Sequence, residues 1–167
     1  MSEINIRNEK ESDCTNIGEV ITLAFKDDPH GDGQEAEIVE LMREDSALSI
    51  SLVAEVDNKI VGHIAFSKVT INDVFIDWYG LAPVSITPKY QNQGIGSRLI
   101  EEGLKLLQQL NAKGCVLLGD PDYYQRFGFT ADERLILPDV PAEYFQALSF
   151  NGSIPAGTVK YHQAFMA

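Results

Sequence analysis

The 167-residue sequence predicts an α/β domain, a sheet packed against helices. Two patterns carry the prediction. From Leu52 to Ile71, β-branched and aromatic residues run in short segments separated by turn residues, the mark of consecutive strands. From Val74 to Leu118, an apolar strand, a glycine-rich turn, a long amphipathic stretch and a second apolar strand follow one another as an α/β unit. The length suits one domain spanning 1–167, with no internal repeat or linker. The hydrophobic fraction of 44% and charged fraction of 23% are those of a soluble globular chain.

Taken in order, Ile4 and Ile6 alternate as a first strand, and Glu11-Ser12-Asp13 starts a helix whose apolar positions are Ile17, Val20, Ile21, Ala24 and Phe25. A polar loop containing Asp28, His30 and Asp32 precedes a helix over 35–43. Leu52-Val53-Ala54-Glu55-Val56 and the run from Ile60 to Phe66 form a hairpin about Asp57-Asn58-Lys59, and a further strand passes Val69 and Ile71. The strand pattern of 74–86 is interrupted by Gly80 and Pro83, so a bulge or a local parting of neighbouring strands is expected. The long helix covers 93–110, with Ile95, Leu99, Gly103, Leu106 and Leu110 towards the core. A buried strand follows at Cys115-Val116-Leu117-Leu118-Gly119. Asp120 then caps a short helix with Pro121 in its first position, closed by Gly128. Later strands are expected at 135–137 and 157–161, with a short helical piece around 144–148.

Charge and cysteine content narrow the functions. A formal net charge of −12 opposes binding to nucleic acid, although helix-terminal amides still attract a small anion. No apolar run nears the roughly 20 residues of a membrane span, and the N-terminus lacks a signal-peptide pattern. The expectation is a cytoplasmic protein, monomer or homodimer, without nucleic-acid or membrane partners. Cys14 and Cys115 are isolated thiols, and Cys115 lacks an adjacent base that would make it a nucleophile. His30 has no second histidine at ligand spacing, so no metal is expected.

The chemistry concentrates at Gln91-Asn92-Gln93-Gly94-Ile95-Gly96-Ser97, between the interrupted strand and the long helix. First-turn N–H groups lack helical acceptors, the macrodipole favours negative charge, and glycines let phosphate oxygens approach the backbone. The alternative is a helix start that needs glycine for packing or backbone geometry. The spacing is neither a P-loop, which requires Lys-Ser/Thr, nor the Gly-x-Gly-x-x-Gly of dinucleotide sites.

Val84-Ser85-Ile86 on the interrupted strand, Gln91 to Gly96 at the helix start, and Tyr124-Gln125-Arg126-Phe127-Gly128-Phe129 together resemble the GNAT acetyltransferase superfamily. Tyr79-Gly80-Leu81-Ala82-Pro83-Val84-Ser85-Ile86 and Leu118-Gly119-Asp120-Pro121-Asp122-Tyr123-Tyr124 look like its bacterial YhbS-like branch. The resemblance implies a central mixed, mostly antiparallel twisted sheet flanked by helices, with a splayed strand pair forming an acetyl-CoA cleft. It implies acetyl-CoA as cosubstrate, held by Val84, Ser85, Ile86, Gln91, Asn92, Gln93, Gly94, Ile95, Gly96, Ser97 and Tyr124. Gln93 stands where many relatives carry Lys or Arg. The implied reaction is direct attack of a small-molecule or peptide amine on the thioester, with Tyr124 giving a proton to the departing thiolate. Tyr123 is expected to point elsewhere. Asp77, on the strand entering the break, is the preferred acceptor of the amine proton, ahead of Glu55, His63 and His30. The plainer reading of Asp77 is an exposed carboxylate, and a neutral amine needs no base. The region 132–157 is expected to line an acceptor pocket or an oligomer interface. The competing functions are a noncatalytic CoA-binding sensor or interaction module and a binder of another small anion.

Overall fold

The computed structural model describes residues 3–28 and 33–166. In chain order the elements are β1 (Ile4–Asn8), α1 (Cys14–Phe25), α2 (Glu35–Glu44), β2 (Ile50–Val56), β3 (Lys59–Lys68), β4 (Thr70–Ile71), β5 (Trp78–Ile86), α3 (Ile95–Gln109), β6 (Gly114–Leu118), α4 (Pro121–Tyr124), β7 (Thr130–Ala131), β8 (Leu135–Ile136), β9 (Phe145–Ser149) and β10 (Gly157–Lys160). Seven strands form one sheet in the order β1-β2-β3-β5-β6-β9-β7, and β4-β10-β8 form a second. In the larger sheet only β5 and β6 run parallel. Parallel neighbours need a crossover, and α3 supplies it.

Alternation along the strands sorts the core into two faces. Leu52, Ile64, Phe66 and Leu81 pack with Leu99, Ile100, Leu104 and Leu107 of α3. Val53, the neighbour of Leu52, instead joins Ile17, Val20 and Ile21 of α1 and Val39 of α2. Trp78, Val116, Ala147 and Val159 fill the space between the two sheets. Asp57 and Asn58 adopt positive φ, as expected for the two-residue turn joining β2 to β3.

The anticipated break in β5 is a bulge. Ile64 pairs with Val84 and Phe66 with Leu81, so Ala82 and Pro83 together oppose Ala65 alone. The Ala82–Pro83 peptide is cis. On its other edge β5 pairs with β6 only from Trp78 to Gly80, opposite Gly114 to Val116. Beyond that point the two strands part.

Three sequence expectations fail, the first being burial of the whole strand 115–119, since Leu118 is exposed at the end of β6. The segment 144–148 is not helical: Ala142–Tyr144 makes one 3-10 turn and Phe145–Ser149 is strand β9, laddered to β6 on one side and β7 on the other. Gln, Ala and Leu favour a helix locally, but a position between β6 and β7 supplies ladder partners on both sides and buries Phe145 and Ala147. Leu110 is 50% exposed rather than core-facing, because α3 ends at Gln109 and the chain turns through Asn111 at positive φ.

Two helical glycines should respond oppositely to alanine. A Cβ on Gly103 would stand 2.2 Å from the Phe66 ring, whereas one on Gly18 meets nothing within 4 Å. In denaturant titrations, G103A should lose about 1–3 kcal/mol of stability, and G18A should gain roughly 0.5–1 kcal/mol.

Candidate functional site

Parallel pairing brings the C-terminal ends of β5 and β6 to one side of the sheet. That is the side on which α/β folds present ligand sites. The chain leaves β5 for the first turn of α3 and leaves β6 for α4, so both helices border the gap between the strands. The edge of β5 facing the gap carries backbone groups. Thr87 N–H donates to the Val61 carbonyl of β3 at 2.9 Å. Strand alternation then directs the N–H and C=O of Ser85 to β3 and those of Val84 and Ile86 towards the gap. Ile86 confirms this, since its carbonyl accepts from Gln91 Nε2 at 2.9 Å. The Ser85 side chain lies on the face opposite α3, buried and without a hydrogen-bond partner.

At the helix start, Gly94 is the N-cap at φ 83°, a left-handed conformation that favours glycine. Gly96 has ordinary helical geometry and no steric need to be glycine, since a Cβ there would approach only Tyr123 Oη at 3.6 Å and Ile86 Cγ1 at 3.8 Å. Packing therefore explains neither glycine. Gln91, Asn92, Gln93 and Gly94 are exposed, Ile95 is buried in the core, and Gly96 and Ser97 are half-buried at the rim. The first-turn N–H groups of Ile95, Gly96 and Ser97 have no helical acceptor and form an anion-sized set of donors. The Gln93 side chain turns back to the Lys89 carbonyl at 3.3 Å, so it brings no charge to this turn.

Tyr123 does not point elsewhere. Its hydroxyl is 3.1 Å from Ser97 Oγ, tying α4 to the first turn of α3. The Arg126 guanidinium stacks 4.4 Å above the Tyr123 ring, and its Nε donates to the Tyr123 carbonyl. Sequence reasoning missed both residues. The available signal was their i, i+3 spacing on one helical turn beside a second tyrosine.

Tyr124 packs edge-on against Tyr123, with centroids 4.9 Å apart, and rests near Phe127 and Phe129. Burial, with smaller contributions from Tyr123 and Asp120, pushes its phenol up to about 12. It therefore stays protonated at neutral pH and available as a donor. Asp120 caps α4, its carboxylate accepting from Asp122 N–H at 2.9 Å.

Of the four groups considered as proton acceptors, three lie among the described residues. Asp77 precedes β5, with its carbonyl accepting from Lys113 N–H. At about 3.3 Å per extended residue it lies roughly 20 Å from Val84. Glu55 is held by Arg7 at 2.8 Å, and the adjacent guanidinium keeps its carboxyl below the usual range. It lines a cavity of about 410 Å³ shared with α1, Lys89 and Tyr90. His63 is fully buried, with Nε2 2.8 Å from Ser51 Oγ, and burial pushes it down to about 4. His30 lies outside the described residues. Cys115 is buried and burial raises its thiol, in keeping with an inert side chain. Among the described residues no group of His, Cys, Asp and Glu side chains suits a metal, and no helix is long and apolar enough to cross a membrane.

Residues 47–131 match the family described as acetyltransferase (GNAT) domain. The uncharacterized N-acetyltransferase YhbS of Escherichia coli K12 is 37% identical, covering 96% of this chain and 97% of its own. A GNAT family acetyltransferase from Brucella melitensis, solved in complex with acetyl-CoA, is 45% identical over 98% of both chains, with a TM-score of 0.89. The structure of E. coli YhbS in complex with CoA superposes with a TM-score of 0.90 at 32% identity, covering 100% of this chain and 94% of that one.

The depressed His63 yields a pH prediction. Between its ordinary value of 6.5 and about 4, the unfolded chain holds a proton that the folded chain does not. Stability from this residue is therefore complete above pH 6.5 and lost as pH falls towards 4, on the order of 3 kcal/mol. Carboxylates held low, such as Asp13 beside Arg7, contribute losses in the same direction at lower pH. Thermal melts from pH 7 to 4 should show the decline, and H63L should flatten it.

Proposed function

The chain belongs to the GNAT acetyltransferase family, in its YhbS-like branch, and from that premise we propose that it transfers acetyl from acetyl-CoA to an amine of a small molecule or peptide. One observation carries the reading. The ladder between β5 and β6 ends at Gly80, which leaves Val84 and Ile86 without a partner strand on that edge beside an anion-ready helix start, and the chain leaves β6 for α4, which carries the neutral phenol of Tyr124.

In this reading the CoA pyrophosphate lies on the first turn of α3, held by the backbone from Gln91 to Ser97. Glycine at 94 and 96 leaves that approach open. Without a cation at Gln93, the backbone amides carry most of this binding, and the nearby cation is Arg126, stacked on the Tyr123 ring whose hydroxyl meets Ser97. The pantetheine arm enters the gap and bonds the backbone of Val84 and Ile86 much as an added strand would. Ser85 contributes by keeping its own backbone on β3, which fixes its two neighbours. A backbone N–H of this segment polarises the acetyl carbonyl as the amine nitrogen attacks.

The new C–N bond produces a tetrahedral species, and its collapse breaks the C–S bond. Tyr124 donates its proton to the leaving sulfur, and the nitrogen releases one proton to solvent or to the regenerating phenolate. Atoms and charge balance without an acyl-enzyme. Asp77 stands far along β5 from the reacting segment, so the reading favours an amine that arrives neutral. The net charge of −12 suits an acceptor that is cationic in solution, with deprotonation on entry.

Titration with acetyl-CoA followed by an amine panel, read as CoA release with a mass-identified acetyl product, tests the assignment. Failure to bind acetyl-CoA overturns it, and binding without transfer to any acceptor points to a CoA sensor. Tyr124→Phe should lower turnover by about 10²- to 10⁴-fold while CoA affinity stays within a few-fold. Unchanged turnover would remove the acid role.

A further inference from the structure

Gln146 sits in β9 between two strands and is 1% exposed, yet only half of its side-chain amide is used. Nε2 donates to the Gly119 carbonyl at 3.0 Å, while Oε1 is buried without a donor. A buried amide with an orphaned oxygen costs about as much as its single hydrogen bond returns. Folding stability alone gives no reason for it, so the target of the one bond it makes becomes the point of interest.

That target is the hinge between β6 and α4. Gly119 follows the last residue of β6, and Asp120, the N-cap of α4, comes next. The Gly119 N–H donates to the Tyr144 carbonyl at 2.9 Å, and its C=O accepts from Gln146. Both peptide groups of an otherwise permissive glycine are thereby pinned by the same neighbouring segment. The glycine also seats a ring: a Cβ on Gly119 would lie 2.6 Å from Tyr124 Cε2 and 3.1 Å from Cδ2. The Tyr124 ring thus lies directly on the pinned residue. Fixing the Gly119 carbonyl fixes the Gly119–Asp120 peptide plane, and with it the direction in which α4 leaves the sheet.

We propose that Gln146 is a positioning residue, holding the Gly119 carbonyl so that α4 presents the Tyr124 phenol to the departing thiolate. The inference rests on the acid role of Tyr124 proposed above. Gln146 touches neither substrate nor reacting atoms and acts through the hinge. Loss of the clamp frees the peptide plane and lets the phenol wander, and misplacement by about 1 Å is enough to cost up to 10²-fold in rate.

The test uses the full chain with 3-fluorotyrosine at position 124, in native and Gln146→Leu forms, with Gln146→Met as a second near-isosteric variant. In ¹⁹F NMR the 124 resonance should shift or split in both variants, while the melting temperature changes by no more than a few degrees, because loss of the orphaned oxygen offsets the unpaired Gly119 carbonyl. Without the label, transfer from acetyl-CoA to hydroxylamine, a small neutral acceptor, should fall about 10- to 100-fold in kcat. CoA affinity should stay within twofold. In the Tyr124→Phe background the same substitutions should cause no further loss, since the two residues act as one unit. An unmoved fluorine line, additive rate losses, or a fall in melting temperature matched by an equal loss of CoA affinity overturns the proposal. If Tyr124→Phe leaves turnover intact, it is the acid role of Tyr124 that fails, while the fluorine line still reports on the clamp.

Discussion

The short parallel contact between β5 and β6 governs the site. Three residue pairs hold the strands together, and the ladder then ends. The cause lies on the other edge of β5, where Ala82 and Pro83 are accommodated as a bulge against β3, and Pro83 has no N–H to offer a neighbour. Pairing with β3 resumes immediately, so β5 remains anchored while its far edge is released. Backbone groups at the middle of a sheet are normally consumed by neighbouring strands. Here Val84 and Ile86 have no partner strand on that edge, the Ile86 carbonyl accepting instead from the Gln91 side chain, between two helices that start at the same end of the sheet.

That arrangement also resolves the apparent conflict between a net charge of −12 and an anionic ligand site. The local field at the start of α3 comes from the fixed amide dipoles of its first turn, whereas the net acidic charge acts through screened solvent. Tyr123 is the mechanical link. By bonding Ser97, it ties the helix that starts the anion site to the helix that carries Tyr124, so the two banks of the gap are not independent.

Much of the site could be read in order along the chain. Pro83 announced the irregularity in β5, Gly94 the open helix start, and Asp120-Pro121 the cap of α4, because each acts through its own backbone geometry, whereas Gly80 is regularly paired and makes room for the Tyr161 ring. The proton acceptors were not legible in this way. His63 and Glu55 alternate acceptably for a cleft-facing strand position, but one is sealed beneath α1 beside Ser51 and the other is occupied by Arg7. Which face a strand residue presents, and what waits there, depends on elements distant in sequence.

The sequence by itself determined the local grammar: where strands are interrupted, where helices begin, and which helix start can receive an anion. These follow from φ preferences, missing N–H groups and apolar period, all properties of a few adjacent residues. Tertiary structure decided the rest. It turned 144–148 from a helical composition into a strand, because a vacant ladder between β6 and β7 outweighs weak propensity. It brought Tyr123 to Ser97 across 26 residues and set Gln146 beneath the hinge at Gly119, contacts that no spacing rule encodes.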